Sequence, residues 1–140
     1  LDPSIFETHY NLAVAYTKAE DYTNAVEEYK KALKIKSNVP DVYYSLATAE
    51  NNLAVDMEQG RVRMNDVDDS LYSPKADEID TLQEYKMSDK EKKLVAELYD
   101  SAVKNYEKYL ELSPNAQDRT DVEEQIKKIQ EPQTPKTVVE

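Results

Sequence analysis

Residues 24–40 read NAVEEYKKALKIKSNVP, and residues 101–114 read SAVKNYEKYLELSP. Ala25, Tyr29 and Ala32 in the first, and Ala102, Tyr106 and Tyr109 in the second, are spaced to share one helical face. Pro40 and Pro114 then end each pattern, because proline has no N–H to give and its ring clashes with the preceding turn. The first stretch follows directly on another amphipathic helix. The second has no such neighbour in sequence, and finding its partner decides the fold.

Working outward, Phe6, Leu12, Ala13 and Tyr16 give a first apolar face, opened by Ser4 and Glu7 as a capping box. The polar link KAED (18–21) is short enough to make this helix and the next an antiparallel hairpin. A third helix is expected from Pro40, capped by Asn38, with Val42, Tyr43, Leu46, Ala47, Leu53, Ala54 and Met57 on its face. It is expected to reach Gly60 and to continue through RVRM. Residues 65–87 break the pattern and offer at best a short helix around 75–85. A long helix follows, with Ser88 and Glu91 as its capping box; a last one spans about 120–130, with Thr120 and Glu123 in the same roles.

Composition narrows the class. A single glycine, Gly60, in 140 residues leaves little for β-turns or phosphate-cradling loops, so an all-α chain is expected. The length suits one domain with a real core. Cysteine is absent, which excludes disulfides but fixes no compartment. No apolar run approaches membrane-spanning length. The net charge of −11, without a basic stripe, argues against nucleic acid and against direct binding to anionic membranes. The opening Leu1, within LDPS, reads as part of a longer protein.

His9-x2-Leu12-Ala13-x2-Tyr16, followed by Ala25-x3-Tyr29-x2-Ala32, resembles the tetratricopeptide repeat. About one 34-residue period later, Tyr43-x2-Leu46-Ala47 repeats the front helix. Ala102-x3-Tyr106 resembles its back helix, displaced by an insertion. The resemblance implies an α-solenoid fragment of antiparallel helix hairpins with a C-terminal capping helix. The hairpins would span 4–37 and 40–114, the latter with an insertion at about 60–88; a cap over 119–130 completes a 1–130 domain, and 131–140 is a flexible tail. The second hairpin's helices are expected to be long, projecting as a finger tipped by 65–87. Glu50 stands where the family has Tyr, Tyr109 where it has Ala, and Ala13 and Ala47 where it often has Gly. Such arrays usually need about three repeats, so further repeats upstream or self-association are implied.

The chemical inventory points away from catalysis, cofactors and metals. His9 is the one histidine and sits at the repeat's aromatic position. Asp66, Asp68 and Asp69 suggest calcium by charge alone, because Leu71 and Asp77 occupy the places where an EF-hand needs Gly and Glu. What the resemblance implies instead is a concave groove for a protein or peptide. Its lining would be Glu7, Tyr10, Asn11, Val14, Thr17 and Lys18, then Asp41, Tyr44, Ser45, Thr48, Asn51 and Asn52. Tyr10 and Tyr44 are expected to form a stacking ladder, and Asn51 and Asn52 to pair with a peptide backbone. Tyr10, Val14 and Ser45 replace the basic clamp with which some members hold a carboxylate, so a neutral or basic segment is expected. The expected function is a scaffold or adaptor module. The alternatives are self-assembly, or an appendage positioning an enzyme or transporter elsewhere in the full chain.

Overall fold

A computed structural model describes residues 5–78, 85–131 and 136–139; Ser4 and part of the helix expected around 75–85 lie outside them. The described residues form five α-helices: α1 (Phe6–Lys18), α2 (Tyr22–Ile35), α3 (Pro40–Glu58), α4 (Asp89–Leu112) and α5 (Arg119–Gln130). Each packs on the next in sequence. The only strands among the described residues are β1 (Arg63–Met64) and β2 (Leu71–Tyr72), paired antiparallel.

The first hairpin follows from its ends and its small residues. At the end of α1, the Glu20 N–H bonds Thr17 O and the Asp21 N–H bonds Tyr16 O, with Glu20 at φ +58. This left-handed turn closes the helix and reverses the chain. Asp21 then caps α2 by accepting the Asn24 N–H at 3.3 Å. Ala13, Ala25 and Ala32 are fully buried and let the helices approach closely, while Tyr29 fills the space between them.

α3 starts one residue later than an Asn38 cap would place it. Pro40 holds the preceding residue extended, so Val39 takes the cap position, with no side-chain bond. The expected run through RVRM does not occur either. Gly60, at φ +74, turns the chain: its N–H bonds Met57 O, the Arg61 N–H bonds Asp56 O at 2.8 Å, and RVRM passes into β1.

Three side-chain bonds fix how α4 lies on α3. Thr48 pairs with Tyr106, Glu50 with Asn105 and Glu58 with Tyr99. One number rises as the other falls, so the two helices are antiparallel although 30 residues separate them in sequence. Their shared core joins Ala47, Ala102 and Tyr106, and continues through Tyr109 and Leu110 to Val122 and Ile129 of α5. α5 begins at Arg119, so Thr120 and Glu123 make no capping box; Asp118 holds the cap position, but its carboxylate accepts the Tyr109 hydroxyl at 2.8 Å.

Between α3 and α4 the chain folds back on the start of α4. The capping box of Ser88 and Glu91 forms, and Glu91 also accepts the Met64 N–H and the Tyr85 hydroxyl. Burial alone would raise the Glu91 carboxyl, but these bonds outweigh it and hold the group below its ordinary value. Arg63 stacks on the Tyr85 ring, 4.7 Å from its centre. At the hairpin tip, Asp68 accepts from the Ser70 N–H and hydroxyl, and Asp69 pairs with Lys90.

Candidate functional site

From Ala49 to Met57 every residue of α3 is buried. A helix enclosed on all sides is normally apolar, yet this stretch contains Glu50, Asn51, Asn52 and Asp56. Each therefore needs a bonding partner. Asn105 donates to Glu50 at 2.6 Å, and Arg61 donates to Asp56 through Nε at 2.9 Å. Burial still raises both carboxyls above their ordinary values, against the lowering pull of those partners.

The two asparagines turn elsewhere, toward the C-terminal segment. Asn51 Nδ2 donates to the Thr137 carbonyl at 3.0 Å. Asn52 Nδ2 donates to the Val139 carbonyl at 2.9 Å, and its Oδ1 accepts the Val139 N–H at 2.7 Å. One side-chain amide thus pairs with both backbone groups of a single residue, as a neighbouring β-strand would. Thr137 and Val139 are two apart, the spacing at which an extended chain presents its bonding groups on one side. Asn52 Oδ1 also accepts from Asn51 Nδ2 at 3.1 Å. Asn51 Oδ1 is buried with no partner among the described residues.

Beside Val139 lies a cavity of about 150 Å³, lined by Tyr44, Tyr106, Asp121, Val122 and Gln125. The expected tail over 131–140 thus has a described part, 136–139, lying across α3.

The groove positions expected from the sequence divide into two sets. Tyr44, Thr48, Asn51 and Asn52 come together at or next to the C-terminal segment. On α1, Glu7, Asn11 and Lys18 are exposed, Tyr10, Val14 and Thr17 are half-buried, and none bonds that segment among the described residues. Glu7 instead lies near Lys36, and Thr17 bonds back to Ala13 O. Asp41 is exposed and Ser45 half-buried.

No ring contact joins Tyr10 to Tyr44 among the described residues. Each tyrosine packs edge-on against its own hairpin, Tyr10 on Tyr29 at 6.2 Å and Tyr44 on Tyr106 at 5.6 Å. Tyr10 also stacks on Phe6, and Tyr44 meets Tyr109 at 5.3 Å. The sequence spacing placed them one repeat apart, and aromatic partners within each hairpin are nearer. Tyr109, bulky where the family has Ala, fills the space between Tyr44 and the start of α5.

Of the repeat positions, His9, Ala13, Ala25, Tyr29, Ala32, Leu46, Ala47, Ala102 and Tyr106 are buried, while Leu12, Tyr16 and Tyr43 are half-buried. His9 Nδ1 lies 2.6 Å from Glu28 Oε2. Thr137 and Val139 were missed by sequence reasoning. The β-branched run Thr137-Val138-Val139, which favours extended backbone, was the available signal.

Residues 15–49 match a family model described as TPR repeat; they cover the end of α1, all of α2 and the first half of α3. No curated protein and no solved structure matches the chain.

Proposed function

Because this chain carries a tetratricopeptide repeat, a unit that binds proteins or peptides, we propose that it is a non-catalytic adaptor module holding an extended peptide across α3. In this reading α3 and α4 are a second repeat whose connection has been lengthened. Asn51 and Asn52 bind the ligand's backbone, and the cavity by Tyr44 takes one of its side chains. Exposed Asp41 and the cavity-lining Asp121 favour neutral or basic partners over acidic ones. The observation that carries the proposal is the Asn52 amide, which pairs with both the N–H and the carbonyl of one residue.

Asn52→Ala removes both of those bonds. At about 0.5–1.5 kcal/mol net for each, peptides selected from a displayed library should bind roughly 5- to 150-fold more weakly. Isothermal titration measures this, with far-UV circular dichroism confirming that the helices persist. Unchanged affinity in a folded variant refutes the proposal.

A further inference from the structure

We infer that the groove's ligand is an extended, uncharged segment with aliphatic side chains, of the kind the chain supplies at Thr137–Val139, and that this tail and an external peptide exclude one another. The inference rests on the groove reading above and adds to it the ligand's chemistry and a built-in competitor.

All three bonds between these asparagines and the tail use the tail's backbone atoms, so they select an extended conformation and no particular side chain. Selectivity must come from the cavity next to Val139. Tyr44, Tyr106 and Val122 give it apolar walls, and Asp121 disfavours a carboxylate there. About 150 Å³ adjoins the Val139 side, so a longer aliphatic chain has room.

Exclusion follows from counting bonding positions. With the tail seated, the Asn52 amide donates to Val139 O, and both acceptor positions of its oxygen are taken, by the Val139 N–H and by Asn51 Nδ2. A second peptide backbone cannot make the same pair of bonds to Asn52 while Val139 holds it. Asn51 Oδ1 has no partner among the described residues, so a ligand that offers it an N–H gains a bond the described tail lacks. That extra bond is how an external peptide displaces a tethered one.

The test uses the full chain carrying Val139→Pro, which removes the N–H that Asn52 accepts. The probe is a fluorescein-labelled synthetic peptide of sequence TPKTVVE, read by anisotropy. A tethered tail competes at an effective concentration on the order of millimolar, so the variant should bind the probe about tenfold more tightly than the unaltered chain. Adding Asn52→Ala to the variant should weaken probe binding roughly 5- to 150-fold, as for the library peptides. A probe with leucine in place of Val139 should bind about fourfold more tightly for its added methylene, and one with aspartate there should not bind.

Equal affinity of the unaltered and Val139→Pro chains overturns the inference, as does an aspartate probe binding as well as the original. If library-selected peptides bind the variant through Asn52 while the probe does not, the inference falls and the groove reading stands. If neither binds, both fall. A dimer of the unaltered chain that Val139→Pro dissolves, seen by light scattering, places the tail in a neighbour's groove and overturns exclusion within one chain.

Discussion

The bond between Thr48 Oγ1 and the Tyr106 hydroxyl, 2.7 Å long, joins residues 58 apart in sequence, and a double-mutant cycle on it tests the α3–α4 pairing directly. Tyr106 is 1% exposed, and burial pushes its phenol well above the usual range. Thr48 is only half-buried. The two single substitutions are therefore unequal. Thr48→Val strands a buried hydroxyl and should cost about 1–3 kcal/mol. Tyr106→Phe leaves a threonine that can turn to water, and should cost about 0.5–1.5 kcal/mol. With both changes no polar group remains unpaired, and the double variant should lie within about 1 kcal/mol of the unaltered chain. The coupling is then about 0.5–4.5 kcal/mol. Urea denaturation resolves this, and in thermal scans each kcal/mol moves the midpoint by about 3–4 °C for a chain of this length. Losses that add to within about 0.5 kcal/mol, or a costlier Tyr106→Phe, would refute the reasoning.

Other outcomes follow from the buried acids and the single glycine. Glu50→Gln should stabilise the chain at pH 7, since burial raises the carboxyl it replaces while the amide oxygen can still accept from Asn105. The folded state holds that proton more tightly than the unfolded one. The native chain's stability therefore gains from this group as pH falls from above the folded value toward 4.5, and denaturation at pH 7 and pH 5 should show the variant lacking that gain. Glu91 has the opposite sign: its stabilisation is present above the ordinary 4.5 and is lost as pH falls through the lowered folded value. The protection factor of the Met64 amide, its exchange relative to an unstructured amide at the same pH, should fall over that acid range, and Glu91→Gln should weaken the dependence. Gly60→Ala should cost about 2–4 kcal/mol, combining φ +74 with a Cβ placed 2.8 Å from Tyr85 Cγ, and should leave peptide affinity unchanged.

The all-α class was legible because one glycine cannot supply a β-fold's turns, and because Ala25, Tyr29 and Ala32 keep a helical period. The Ser88–Glu91 cap was legible because both of its members sit beside the residues they bond. Non-local competition was not. Asp118 gives its carboxylate to Tyr109 rather than to the amides of α5, and nothing near position 118 announces that. Helix ends failed where a neighbour's geometry decided them, as Pro40 does for Val39 and Gly60 does for RVRM. At the candidate site, Asn51 and Asn52 stood out as adjacent amides on a helix, but their occupant did not. Two prolines made the segment after residue 130 read as a tail, whereas its bonds to α3 use backbone atoms that every sequence possesses.

The segment between α3 and α4 is anchored at its base, through Gly60, Met64, Tyr85 and Glu91, while Val67 at its tip is 94% exposed. Anchors at the base make the tip a splice point. An epitope or a fluorophore grafted between Asp66 and Asp68 would ride outside the helical stack, giving a handle for immobilising the protein that leaves its peptide-facing side open to the solution.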